Sequence, residues 1–174
     1  MIPPSIQQYL RRNRVPFDRI AHPRAVSGQQ LAATLHASGH RVAKTVVLRT
    51  ERGLWLAVLP ASETVDTDRA RHILGVASCR TANEPEFADL FPDCELGAEP
   101  PFGQLYRLPV MVDERLAQMD RLIVRAGSHT EAMELRFQDF ATLEWPLVAS
   151  FCRDHLRRPA PALEQAPGEQ HAHV

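Results

Sequence analysis

Val42-Ala43-Lys44-Thr45-Val46-Val47-Leu48-Arg49 leads through Thr50-Glu51-Arg52-Gly53 into Leu54-Trp55-Leu56-Ala57-Val58-Leu59. The first run is rich in β-branched residues and the second is continuously apolar, so both are predicted strands. The four residues between them predict a hairpin turn in which Gly53 supplies a positive φ. Lys44 lies inside the first strand and is the only lysine of the chain. Strand alternation puts it on one face with Val42, Val46 and Leu48. An ammonium on an apolar face is costly unless an anion or a cavity meets it. Its compact charge on a flexible stem suits a phosphate, a carboxylate or a reacting carbonyl. The competing reading is an edge-strand lysine that snorkels to water.

Upstream of the hairpin, Ile6, Tyr9 and Leu10 recur at helical spacing and predict a short amphipathic helix over Ser5 to Asn13, opened by Pro3-Pro4. An extended segment from Val15 to Pro23 follows. Ser27 is a good N-cap, with Gln30 three places on as in a capping box. Leu31, Ala32 and Leu35 give that helix its apolar side, and Gly39 is its expected end. Downstream, Asp66 to Leu74 is a predicted helix with Gly75 past its end. A short strand near Ala77 to Arg80 and a helix capped by Asn83 come next. A loop dense in Gly and Pro runs from Pro92 to Gly103. Leu108 to Val112, Arg121 to Ala126 and Ala132 to Arg136 are predicted strands, with Gln138 onward helical. The interleaving lacks regular βαβ spacing. The expected fold is α/β, a single domain with a mixed, largely antiparallel sheet surrounded by helices.

The chain has 174 residues, 44% hydrophobic and 24% charged. That suffices for one globular domain with its own core. The domain is expected over residues 1–158. Residues 159–174, rich in Pro, Ala, Gln and Glu, are expected to form a disordered tail. No stretch is long and apolar enough to cross a bilayer, and the N-terminus has no secretory pattern. Cys79, Cys94 and Cys152 fit neither a disulfide framework nor a zinc ribbon, so a cytoplasmic protein with no membrane partner is expected. The net charge of −1 hides an asymmetry. Residues 1–50 carry eight basic side chains against Asp18 alone, a net +7. A basic third suits a polyanionic partner contacted on one side, although solvated helix faces give the same pattern.

Three further features carry chemistry. Gly97-Ala98-Glu99-Pro100-Pro101-Phe102-Gly103 is a loop stiffened by prolines and flanked by glycines, able to bring backbone N–H groups close to a carbonyl or phosphate. Gly127-Ser128-His129 places a histidine in a loop between two predicted strands, where it can contact a ligand or move a proton. His22-Pro23 precedes the helix that Ser27 opens. His36 and His40 have a spacing seen in zinc sites but lack a partner pair, so no metal is expected. No nucleophile elbow, P-loop or dinucleotide fingerprint is present, and no cofactor is expected.

In order, these features are His22-Pro23, Ser27, Val42 to Leu48, Gly97 to Gly103, Val110-Met111-Val112-Asp113-Glu114 and Ala126-Gly127-Ser128-His129-Thr130. Together they resemble the YbaK/prolyl-tRNA synthetase-associated editing domain family over roughly residues 5–150. The resemblance implies a compact α/β editing fold and hydrolysis of the ester joining a wrong amino acid to tRNA. It implies that Lys44 is the catalytic-site lysine holding the 3′-terminal adenosine or its phosphate. Gly97 to Pro101 would line the aminoacyl pocket, with Phe102 and Gly103 closing the loop, and Gly127 to His129 would supply the family's Gly-x-His element. The tRNA's own ribose hydroxyl would position water, without metal.

Two positions depart from the pattern. Many relatives have Asn where this chain has Thr45, and Thr where it has Ser27. Both positions are expected to face the pocket, so the amino acid removed is open. Alanine on proline tRNA is the first candidate. The expected partners are the aminoacylated 3′ end of tRNA and, as a further candidate, a synthetase. Two readings compete with a trans-acting deacylase: a non-catalytic RNA-binding or regulatory module on the same fold, and a hydrolase of a small ester unrelated to RNA.

Overall fold

The hairpin read from the sequence forms the centre of the protein. In the computed structural model, which describes residues 1–153, strands β2 (Ala43–Thr50) and β3 (Gly53–Pro60) pair antiparallel from Ala43↔Pro60 to Thr50↔Gly53. Thr50 locks the turn. Its hydroxyl donates to the Gly53 carbonyl at 2.9 Å and accepts from the Arg52 N–H at 3.1 Å. Gly53 takes the positive φ, at 129°. Strand β4 (Cys79–Thr81) pairs with the outer edge of β2. Beyond β3 come two parallel neighbours, β5 (Val110–Asp113) and β8 (Leu147–Ala149), giving the order β4-β2-β3-β5-β8.

A second, antiparallel sheet is built from β1 (Asp18–Ala21), β7 (Glu131–Arg136) and β6 (Arg121–Arg125), in the order β1-β7-β6. The two sheets meet where Val42 bridges Ile123, beside an Ile123 N–H that donates to the Arg41 carbonyl at 3.0 Å. The expected mixed, largely antiparallel α/β fold is therefore present, divided between two sheets.

Alternation sorts the five-stranded sheet into two faces. Ala43, Val47, Leu56, Val58, Val110 and Val112 point into the main core. There they meet Ile6 and Leu10 of helix α1 (Pro4–Arg12), whose apolar stripe the 3.6-residue spacing predicts. Leu48, Ala57, Leu59 and Met111 point the other way, onto Ala70 of helix α3 (Thr67–Leu74), Phe151 and Cys152. A third cluster fills the seam between the sheets with Ala25, Leu31, Val42, Ala61 and Ile123.

Local signals set the helix ends. Ser27 caps helix α2 (Gly28–Thr34) in a complete capping box with Gln30. Asp66 caps α3, and Gly75 ends it in the left-handed region at φ 62°. Helix α2 stops at Thr34 rather than near Gly39, because His36 takes the left-handed turn at φ 50°. Short helices α4 (Glu84–Phe87), α5 (Gly103–Tyr106) and α6 (Glu114–Ala117) and the longer α7 (Phe137–Glu144) complete the order. Asp113 ties this part together. It caps α6 through the Arg115 N–H and accepts from the Phe151 and Cys152 N–H groups at 3.2 and 3.3 Å. Among the described residues no helix is long and apolar enough to cross a membrane. The expected tail, 159–174, lies outside the described residues.

Candidate active site

Lys44 sits at the second position of β2, half-buried and paired with Leu59. Its face is shared with Val46, Leu48 and Leu59, as alternation requires. Burial lowers its pKa, opposed by Cys152 and Glu63. The Cys152 thiol is itself pushed up by burial, which leaves the Glu63 carboxylate as the standing anion of the two. Glu63 is buried and already ion-paired, 3.1 Å from Arg115. No hydrogen bond or ion pair engages Lys44 among the described residues. A half-desolvated cation without a partner is unfavourable in the free protein and favourable once an anion arrives.

Helix α2 begins directly against this lysine. A Cβ on Gly28 would lie 3.3 Å from the Cβ of Lys44 and 3.1 Å from that of Ala61. A glycine at the first helical position therefore lets α2 approach the strand and form one wall beside Lys44. Ser27, next to it, is exposed, and its hydroxyl accepts the Gln30 N–H as the cap. Thr45 is half-buried but opposite Val58, on the main-core side, so adjacent strand positions separate it from Lys44.

The other predicted stretches are brought together by hydrogen bonds. His22 N–H donates to the Thr130 carbonyl and Ala25 N–H to the His129 carbonyl, both at 2.9 Å. Gly127 N–H reaches the Ala98 carbonyl at 3.1 Å, and Glu95 N–H the Gly127 carbonyl at 3.0 Å. The residue 22–28 segment, the loop before Pro100 and the Gly127-Ser128-His129 turn thus form one cluster, with Ser128 buried inside it. Segment 22–28 runs from that cluster to Lys44.

His129 is buried and both of its ring nitrogens are engaged. Arg125 Nη1 lies 3.1 Å from Nδ1 and also donates to the Ala25 carbonyl at 2.8 Å. A guanidinium can only donate, so Nδ1 is the acceptor and Nε2 carries the hydrogen. Nε2–H then donates to the Leu96 carbonyl at 2.9 Å. His129, expected to touch a ligand or move a proton, here links three chain segments through both ring nitrogens. Its backbone N–H donates to Glu95 at 2.6 Å, which holds that carboxyl below its ordinary range.

Arg125 was not among the residues the sequence singled out. It is buried, its pKa is lowered by desolvation while Glu99 and Glu95 oppose, and its Nη2 has no hydrogen-bond partner. A signal was available in Arg121-Leu122-Ile123-Val124-Arg125, where alternation sets Arg125 on one face with the buried Ile123, the same logic that singles out Lys44.

The loop itself differs from expectation in one respect. Gly97, at φ 82°, gives its N–H to Glu99 Oε1 at 2.8 Å, and Ala98 gives its N–H to the Glu95 carbonyl at 2.9 Å. Those two amides are already used inside the loop and are not free donors for an oxyanion. Pro100 and Pro101 are buried, and Phe102 is fully buried in the main core against Tyr9. Gly103 opens α5 where no side chain fits, since a Cβ would fall 2.2 Å from the Leu108 carbonyl oxygen. The loop's second half is therefore an anchor. His22, by contrast, keeps a free valence. Its Nδ1 donates to the Pro23 carbonyl at 2.7 Å, while its Nε2 is buried without a partner. Among the described residues no three His, Cys, Asp or Glu side chains converge as a metal site.

The mixed α/β fold that carries this site is one that solved structures share. The hypothetical protein APE2540 superposes with a TM-score of 0.78 at 16% identity, covering 86% of this chain and 99% of that one. A proposed trans-editing enzyme for prolyl tRNA synthetase gives 0.75 at 20% identity, covering 88% and 100%. A proposed signal transduction protein from Marinobacter aquaeolei VT8 gives 0.68 at 20%, with 88% of this chain lying on 31% of that one. At such identities the likeness is one of fold. No protein of curated function matches the sequence. The sequence itself is decisive at the family level: residues 22–143 match the aminoacyl-tRNA editing domain, and the chain belongs to that family.

Proposed function

We propose that this editing domain is a trans-acting deacylase, hydrolysing the ester between a small mischarged amino acid and the 3′ end of its tRNA. Alanine on proline tRNA is the first candidate. Water adds to the ester carbonyl, the bond to the ribose oxygen breaks, and free amino acid and a tRNA hydroxyl result. A synthetic pocket cannot strongly reject a smaller apolar side chain, so a second site that destroys the product restores fidelity. The observation that carries the reading is Lys44, the one lysine, half-desolvated on a strand face with no hydrogen bond or ion pair among the described residues. In the proposal its ammonium engages the phosphate or adenosine of the 3′ end. Gly28 keeps α2 close enough to wall the site, and His22, with Gly97 to Glu99 held by Gly127 to His129, shapes the aminoacyl side.

The test is a deacylation screen over mischarged tRNAs with wild type, Lys44→Ala and Lys44→Arg, each also melted. Removing one well-placed electrostatic contact typically costs about 10²–10³ in rate, so Lys44→Ala should lose about that much with its fold intact. Lys44→Arg should fail largely too, since a planar fork does not replace a compact ammonium in a close site. Near-normal hydrolysis by a folded Lys44→Ala protein would remove the claim and favour a non-catalytic RNA-binding module.

A further inference from the structure

The basic N-terminal third is less available than its charge suggests. Arg19 pairs with Glu131, Arg24 with Glu95, Arg41 with Glu134 and Arg49 with Glu86. Arg11, Arg12 and Arg14 are exposed and carry no ion pair among the described residues. All three lie at the C-terminal end of α1. Arg11 and Arg12 also complement the helix dipole there, but Arg14 is past the helix, in the left-handed region at φ 56°.

Beside Arg14 stands Trp145, the C-cap of α7, also left-handed at φ 48° and 84% exposed. Arg14, Val15, Leu143 and Trp145 line one hollow of about 360 Å³, with Asp139 its only carboxylate among the described residues. A bulky side chain in a left-handed cap is an uncommon arrangement. Here two such residues, one cationic and one aromatic, face the same space.

We infer that Trp145 and the arginines ending α1 form a second RNA contact, with the indole stacking on an unpaired base and Arg11, Arg12 and Arg14 meeting the flanking phosphates. This rests on the editing reading, in that tRNA is the polyanion supplied. The chemistry matches the general pattern for single-stranded nucleic acid, an aromatic platform beside a cationic track. A second copy of the chain suits the patch less well. Leu147 and Val148 on the neighbouring β8 edge are exposed and apolar, but a two-fold contact there would set like-charged arginines against each other.

The full-length protein should be titrated with an unacylated tRNA transcript while tryptophan fluorescence is followed, and its deacylation of aminoacylated tRNA measured in parallel. Trp145→Ala should raise the Kd for tRNA by about tenfold, within the range of a lost base stack. It should raise KM far more than it lowers kcat. Arg14→Ala should weaken binding less and flatten the log–log salt dependence by about one. Melting temperatures should hardly move, since both side chains are exposed. Unchanged Kd and KM in both variants, beside an active tRNA-binding wild type, would overturn this contact and leave the editing reading intact. A wild type that neither binds nor deacylates tRNA would overturn the editing reading itself. Loss of a wild-type dimer in Trp145→Ala, with tRNA binding retained, would show that the patch pairs two copies and would also overturn the RNA contact.

Discussion

Glu144 offers a measurement that isolates one buried proton. It ends α7 fully inside the protein, where Oε1 accepts from the Tyr9 hydroxyl and Oε2 from the Gln104 N–H, each at 2.9 Å. Through Gln104 it holds the first turn of α5, directly after the loop from Gly97 to Gly103. Burial outweighs these hydrogen bonds and pushes its carboxyl from 4.5 up to about 7. A folded value above the unfolded one means that the native state holds the proton more tightly. The stabilisation is therefore complete below about pH 4.5 and is lost as pH rises through about 7. At 1.36 kcal/mol per pH unit, the swing is about 3 kcal/mol. For a chain of this length that corresponds to about 6–12 °C in Tm. Glu144→Gln keeps the geometry without the charge, because its oxygen can accept from Gln104 and its amide can donate to the Tyr9 oxygen. Wild type and Glu144→Gln should be melted from pH 5 to pH 8 at fixed ionic strength, so that other titrating groups cancel in the difference. The variant should gain on wild type by about that amount as pH rises. A difference that stays constant, or one that shrinks, refutes the reasoning.

Arg125→Met should lower the urea midpoint, because the Ala25 carbonyl and His129 Nδ1 lose a buried donor; at about 1–3 kcal/mol per orphaned acceptor the loss should reach about 2–6 kcal/mol. Unchanged stability would show that relief of the buried charge offsets the lost bonds. Gly28→Val should cost about 1–3 kcal/mol from overpacking and reduce deacylation beyond the stability loss, since the added atoms press on Lys44 and Ala61. Activity in proportion to the folded fraction alone would deny α2 its role at the site. Deacylation at sub-saturating substrate should weaken with salt with a log–log slope of only about −2 to −3, if the phosphates are met by Arg11, Arg12 and Arg14, the arginines of the first third with no ion pair among the described residues. A flat response would instead favour a small-ester hydrolase.

What the sequence disclosed follows the range of the forces involved. The β2–β3 hairpin, the Ser27 capping box and the Gly75 stop are set by residues within a few positions of each other, so they read directly. Strand β8 did not: Leu147 and Val148 are exposed, three residues give no alternation, and the strand exists because β5 lies parallel to it and Asp113 receives the amides that follow. The end of α2 was misplaced because glycine is the usual left-handed stop, yet His36 fills that position. Alternation also separates Thr45 from Lys44, a consequence that the family pattern obscures. The +7 charge of the first third was countable, but its cancellation depends on glutamates far along the chain, Glu86, Glu95, Glu131 and Glu134.

Two desolvated cations now divide the site between them, and their bonds tell them apart. Arg125 donates to Ala25 and His129, and the charges of Glu99 and Glu95 favour it. Its desolvation is offset inside the free protein, so it belongs to the frame. Lys44 has no such bonds among the described residues, and the carboxylate that favours it, Glu63, is already held by Arg115. Its desolvation is therefore offset only in part until something binds. Neither residue is on a mobile tip: one lies in β2 and the other ends β6, and the two strands meet at Val42 and Ile123, two residues before each. A rigid seam that ends in one satisfied and one unsatisfied cation is preorganised for an anion at the second. In the proposed deacylation, that is why Lys44 rather than His129 should govern the rate.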